Sequence, residues 1–224
     1  MNKDWSELNS AFQAQIKRKD SFRSGIDTLF NLRNELFRVI LSFKEDLSRN
    51  DFNTMPFVNA KGYHSKTIAY SIWHIFRIED IVSHTLINGD GQVFFRGSYQ
   101  KRINSPIITT GNELVKYQIA EFSKQLNLEE LYSYISEVKE STESIISRLT
   151  YGSLKNRIPE ERKQNLIALN VVSTDERANW LIDYWCGKDI SGLIKMPFSR
   201  HWIMHTEASL RIKAGIKQWA KEEQ

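Results

Sequence analysis

The chain has 224 residues, of which 41% are hydrophobic, and its formal net charge is +4. This composition excludes a disordered chain, is sufficient for one packed domain over residues 1–224, and gives no independent case for nucleic-acid binding. The single Cys186 excludes an internal disulfide, and no apolar run approaches the about 18 residues that span a bilayer, so we expect a cytoplasmic protein without membrane contact.

Hydrophobic residues recur at helical spacing along most of the chain. They predict four long helices, over residues 21–49, 65–88, 128–150 and 199–221. Shorter helices are predicted over residues 4–18, 111–126 and 175–187. Ser21, Ser65 and Ser199 are the expected N-caps of three long helices, because a serine hydroxyl accepts a hydrogen bond from the first turn.

The segment 89–110 contains three glycines and one proline and is predicted to be a long loop. Val93-Phe94-Phe95 within it is compatible with a short strand, but no alternating pattern is long enough for a sheet. The sequence therefore predicts an all-α protein, a four-helix bundle with additional short helices and a helical extension over residues 1–20.

Two histidines, His201 and His205, lie one turn apart on the last predicted helix. At about 100° per residue their side chains share one helix face, so both rings can bind one metal ion. The alternative is a pair of packing or surface histidines at a common spacing. The glutamate of the His-Glu-x-x-His metalloprotease motif is absent, which argues against that class of enzyme.

His74 lies in the second long helix on an otherwise apolar stripe. A third imidazole from another helix would complete a three-histidine site with an open position, an arrangement typical of catalytic metals. A hydrogen-bonded core histidine is the alternative. His84 is rotated about 80° from that face and is interpreted as packing or solvent-facing. His64 is interpreted as a loop residue.

The order of these histidines resembles the DinB-like superfamily of metal-binding four-helix bundles. The resemblance is carried by the segments 68–80 and 196–205, and the family signature is one histidine on the second helix and a His-x-x-x-His pair on the last. His74, His201 and His205 match those positions in order and spacing. The extension before residue 21 and the segment 89–110 depart from the compact family pattern.

Three neutral imidazoles suit zinc or nickel, although iron, manganese and cobalt also accept such ligands. With an open position, the ion can lower the pKa of a water or hold a thiolate. The resemblance implies one of two chemistries, a thiol S-transferase that uses a low-molecular-weight thiol or a metal-dependent hydrolase. Either would act on a small molecule.

The surroundings of the site are less defined by sequence. Tyr70 is expected on the same face as His74, where its hydroxyl either meets a metal-bound ligand or lies near solvent. Arg33 is interpreted as a surface arginine, and Glu79 and Asp80 as solvated or paired with Arg77. Thr142 either leaves room for a cavity or bonds to its own helix, and the aromatic segment 180–185 is interpreted as core packing or a partner surface.

Two further functional readings remain open. In the first, the metal only joins the helices of a non-catalytic, stress-related binding protein, and its removal would cost stability alone. Nucleic-acid binding would rest on Lys17-Arg18-Lys19, but such a charge run is more typical of a solvated helix end. A homodimer is compatible with exposed helix faces, and no residue pattern requires it.

Overall fold

The computed structural model describes residues 2–222, which form an all-α fold without a sheet. The α-helices, in chain order, are α1 (Lys3–Gln15), α2 (Phe22–Asp46), α3 (Ile68–Asp80), α4 (Val93–Arg96), α5 (Tyr99–Ile103), α6 (Tyr117–Gln125), α7 (Leu128–Ser147), α8 (Glu160–Ala168), α9 (Glu176–Cys186), α10 (Ile190–Lys195) and α11 (His201–Glu222). None of the helices described is long and apolar enough to cross a membrane.

The four long helices predicted from hydrophobic spacing are α2, α3, α7 and α11. Helix α3 packs against both α7 and α11, and α2 packs against α7 and α11, so the four form a bundle. Every residue of α3 is buried, which places this helix in the interior. Helix α1 packs along α2 through Trp5 and Phe12 and is the predicted N-terminal extension.

Helix α3 continues as a π-helix over Ile81–Asn88 and ends at Gly89, whose φ of 77° is in the left-handed region. Its N-cap is Thr67, whose hydroxyl accepts a hydrogen bond from the Tyr70 N–H. The prediction that Ser65 caps this helix is therefore wrong by two residues, because threonine supplies the same hydroxyl acceptor.

The last helix begins earlier than predicted. A π-helix over Met196–Arg200 joins α10 to α11, so the chain is helical well before Ser199. Ser199 donates its hydroxyl to the Lys195 carbonyl and does not cap a helix. Pro197 lies at the start of the π turn, where the wider i→i+5 pattern accommodates a residue that lacks an N–H.

The segment 89–110 is not one long loop, because it contains α4 and α5. Val93 and Phe94 open α4 instead of forming a strand, and their N–H groups donate to the two carboxylate oxygens of Asp80, at 2.8 and 2.9 Å. Asp80 is fully buried, pairs with Arg77 at 3.6 Å, and accepts from the Tyr134 hydroxyl. The expected pairing with Arg77 is present, but Asp80 is not solvated.

Candidate metal centre

The structure brings the three predicted histidines together between α3 and α11. The potential ligand atoms of His74, His201 and His205 all lie within 4.8 Å of one another, and all three residues are buried. The ring centroids are 4.6 Å apart for His201 and His205, 5.1 Å for His74 and His201, and 4.9 Å for His74 and His205. Such a group can hold a metal ion.

The orientation of His74 is determined by the chain segment before α6. Its Nδ1 lies 2.6 Å from the Thr110 carbonyl oxygen, which can only accept, so Nδ1 carries the proton. The Nε2 atom is left with a free lone pair, as in many metal-binding histidines. The Tyr70 ring stacks on His74 with centroids 5.3 Å apart, and its hydroxyl donates to the Gly111 carbonyl. Tyr70 therefore holds the segment and the imidazole, and its hydroxyl is already engaged.

Nitrogen atoms of the other two histidines lack hydrogen-bond partners. Within the described part of the chain, Nδ1 and Nε2 of His205 and Nδ1 of His201 are buried and unpaired. An unpaired buried polar atom costs about 1–3 kcal/mol, so their persistence needs a ligand or another compensation. This observation, together with the all-imidazole donor set, fits a divalent transition-metal ion better than a purely structural histidine cluster.

Burial keeps the three imidazoles neutral. It lowers the pKa of His74 to about 4, although the hydrogen bond to Thr110 opposes the shift. Burial likewise lowers the pKa of His201 and of His205 well below the usual value, and the neighbouring histidines add to the effect. At neutral pH each ring therefore offers a lone pair without first losing a proton, as metal binding requires.

A buried ion pair fixes the helices next to the histidines. Arg33 on α2 donates from Nη1 and Nη2 to the two carboxylate oxygens of Glu79 on α3, at 2.9 and 2.8 Å. Trp202, the residue after His201, donates its indole N–H to Glu79 at 2.8 Å, and its ring lies 4.3 Å from the Arg33 guanidinium carbon. Arg33 also donates to Glu143 on α7 at 3.0 Å.

The interpretation of Arg33 as a surface residue is wrong, since it and Glu79 are fully buried. Burial alone would lower the pKa of Arg33, but Glu79 and Glu143 outweigh it, so the pKa is raised and the guanidinium stays charged. Thr142 is buried and donates to the Ser83 hydroxyl at 3.1 Å, so it bonds to a neighbouring helix and not to its own.

A cavity of about 210 Å³ lies against the histidine cluster, and His74 and His201 form part of its wall. Aromatic side chains supply much of the remaining wall, from Tyr63 before α3 and from the aromatic run of α9. Tyr63 also contacts His205 edge to face, with ring centroids 4.7 Å apart. In the segment 180–185, Trp185 is buried, as core packing predicts, whereas Trp180 is 49% exposed at the cavity.

His84 lies outside the cluster, in a hydrogen-bonded chain of its own. Its Nδ1 is 2.7 Å from an Asp90 oxygen, and its Nε2 is 3.0 Å from the Ser141 hydroxyl. This order matches a Ser-His-Asp triad, but Ser141 lies inside α7, where its backbone N–H is committed to the helix and cannot serve an oxyanion. We interpret these hydrogen bonds as a structural link between α7 and the π-helix that follows α3.

His64 and Cys186 take no part in the cluster. The His64 Nε2 atom is 3.1 Å from an Arg211 nitrogen, on the outer side of α11. Cys186 ends α9 and is half-buried, and burial raises the pKa of its thiol, so the thiolate is disfavoured.

Comparisons with known proteins add no family assignment. No protein-family model matches the chain, and no curated protein is similar enough in sequence to count as a match. The functional argument therefore depends on the geometry of the histidine cluster and its cavity.

Proposed function

We propose that the protein is a metal-dependent enzyme in which His74, His201 and His205 bind one divalent ion, with zinc or nickel as the favoured metals. The observation that carries the proposal is the buried group of three neutral imidazoles, two of which have unpaired nitrogens. The resemblance of these positions to the DinB-like signature supports it. A divalent ion in this site would supply Lewis acidity, which lowers the pKa of a thiol or a water.

The cavity favours an enzyme over a structural metal. A structural zinc site is closed by four protein ligands, whereas a catalytic site has three and an open position. Among the described residues the ligand group consists of three histidines, and two of them also line the cavity. A small molecule in the cavity would therefore be next to the ligands, in a space walled largely by aromatic side chains. The reaction type is a thiol S-transfer or a hydrolysis.

Cobalt substitution separates the enzyme from a structural metal. If a coordination position is open, adding a small thiol to the cobalt-loaded protein is expected to produce a thiolate-to-cobalt charge-transfer absorption. The His205→Ala variant, which lacks one of the three ligands, serves as the control. A cobalt spectrum that does not respond to any thiol or other small anion would show a closed site and would refute the enzyme proposal.

Gly111 offers a test of the Thr110 contact, because a backbone carbonyl cannot be mutated directly. Its φ is 76°, and an added Cβ would lie 3.0 Å from both the Trp73 and Tyr70 rings. Gly111→Ala should displace the neighbouring carbonyl and lower zinc affinity about 10–100-fold, the usual cost of losing a partner that orients a ligand.

Gly62→Ala is the matched control for that experiment. Gly62 has a similar φ of 72°, but no atom lies within 4 Å of an added Cβ. This variant carries the same backbone strain without the collision and should retain zinc affinity. Equal zinc affinities for the two variants, measured by competition with a chelating dye, would contradict the orienting role of Thr110.

A further inference from the structure

The cavity next to the histidines is small and aromatic. Its volume of about 210 Å³ exceeds the about 150 Å³ of a cavity that binds benzene, so it holds one ring with a short substituent. Tyr63, Trp180, Tyr184 and Trp185 supply aromatic surface. Drug-sized ligands usually occupy about 300–1,000 Å³, so a cavity of this size fits a smaller guest.

No charged side chain lines this cavity among the described residues. Aromatic walls can attract organic cations, but the nearby charges oppose a cationic guest. The Lys188 ammonium already lies 4.1 Å from the Tyr184 ring centre, and the positive charge of exposed Arg200 acts on Tyr63. A divalent ion on the histidines would add further positive charge, which disfavours a cationic guest. Within residues 2–222, the cavity wall contains no lysine or arginine that could pair with an anionic guest, so a neutral guest is favoured.

Asn112, one of the residues that line the cavity, has a polar atom without a partner in the described part of the chain. The side-chain oxygen of Asn112 is buried, and no hydrogen bond reaches it within the described residues. Because a buried acceptor is costly when unpaired, the guest is expected to supply a hydrogen-bond donor. Asn112 follows Thr110 and Gly111, the segment that orients His74 and accepts from Tyr70.

We propose that the substrate or thiol bound here has a single uncharged aromatic ring on a short linker, with a metal-binding group at one end and a hydrogen-bond donor that reaches Asn112. This inference rests on the proposed function, because the metal-binding end needs an ion on the histidines. The ring specificity itself comes from the cavity wall.

Three thiols of similar reactivity test the ring preference on the zinc-loaded full chain. Tryptophan fluorescence and calorimetry would follow the binding of benzyl mercaptan, 2-mercaptoethanol and cysteamine. We expect benzyl mercaptan to bind at least about tenfold more tightly than 2-mercaptoethanol, since burying the ring adds apolar contact, and cysteamine to bind most weakly. Equal affinities for benzyl mercaptan and 2-mercaptoethanol, or a preference for cysteamine, would overturn the proposal.

Two tryptophans of similar exposure provide a matched pair of variants. Trp180, at the cavity, is 49% exposed, and Trp219, near the end of α11, is 46% exposed. Trp180→Ala should weaken benzyl mercaptan binding about fivefold and leave 2-mercaptoethanol binding and zinc content unchanged. Trp219→Ala should change none of these. An equal loss in both variants, or none in Trp180→Ala, would count against the assigned cavity.

Asn112 is tested with the three ring-hydroxylated isomers of benzyl mercaptan. At least one isomer should bind the wild-type protein more tightly than the parent compound, and Asn112→Leu should abolish that gain. If no isomer gains affinity, the hydrogen-bond donor is wrongly assigned.

The zinc-free protein separates this inference from the proposed function. If zinc is not retained but benzyl alcohol still binds more tightly than ethanol, the metal proposal fails and the aromatic cavity stands. If zinc is retained and benzyl alcohol shows no preference, the ring specificity is refuted and the metal site stands.

Discussion

Purified wild-type protein is expected to retain one zinc or nickel ion per chain, and His205→Ala is expected to lose it. His205 has both ring nitrogens buried and unpaired among the described residues, so its removal takes away a ligand without breaking another hydrogen bond. Even a partner that only orients a ligand contributes about 10–100-fold to metal affinity, so losing a ligand should cost more than about 100-fold. Elemental analysis and chelator competition measure this loss.

Stability gives an independent readout of the same site. A ligand at 100 times its dissociation constant stabilises the folded state by about 2.7 kcal/mol, so zinc should raise the unfolding temperature of the wild type but not of His205→Ala. His64→Ala is the control, because His64 contacts Arg211 and lies outside the cluster. Equal zinc content and equal zinc-dependent stabilisation in wild type and His205→Ala would show that the site is misassigned.

Arg33→Met is expected to destabilise the fold by about 3–5 kcal/mol, because it leaves the Glu79 carboxylate buried without its cation. Denaturant unfolding monitored by circular dichroism measures the change. The double variant Arg33→Met with Glu79→Leu should recover part of the loss, since replacing both partners by apolar residues removes the unpaired charge. Glu79 also accepts a hydrogen bond from Trp202, the residue after His201 on α11. Disturbing Glu79 should therefore displace α11 and lower the zinc affinity.

An exposed ion pair on the same helix is the control for Arg33. Arg38 lies 2.6 Å from Glu35, but its side chain is 72% exposed. Arg38→Met should therefore cost only about 0–1 kcal/mol. If Arg33→Met costs no more than Arg38→Met, the buried network does not contribute to stability as the geometry indicates.

The long helices and the histidine group were predictable because both depend on spacing along one chain. Apolar residues at helical intervals locate α2, α3, α7 and α11, and the four-residue interval places His201 and His205 on one face. A histidine on an apolar stripe needs a reason to be buried, and the resemblance to the DinB-like signature makes His74 the expected partner of the pair. The structure confirms that the three meet, as well as the all-α fold.

The contacts that orient the site could not be predicted in the same way. Thr110 contacts His74 through its backbone carbonyl. Because every residue type has a backbone carbonyl, the identity of residue 110 does not indicate this contact. The Arg33–Glu79 pair joins residues on different helices, and a single sequence does not show which charged residues meet. Arg33 does interrupt the apolar face of α2, but the sequence fits equally well an arginine whose charged end lies at the surface.

The wide turn at Met196–Arg200 also bears on how this protein can diverge. A π turn holds one residue more than an α turn. Deleting a residue there would therefore convert it to regular α-helix without breaking the helix. Such a deletion would leave the four-residue interval between His201 and His205 intact and would change the path of the chain at Met196–Arg200. Met196 and Pro197, which line the cavity, would change position. Insertions and deletions in this π-helix can thus change the wall of the cavity while preserving the spacing of His201 and His205.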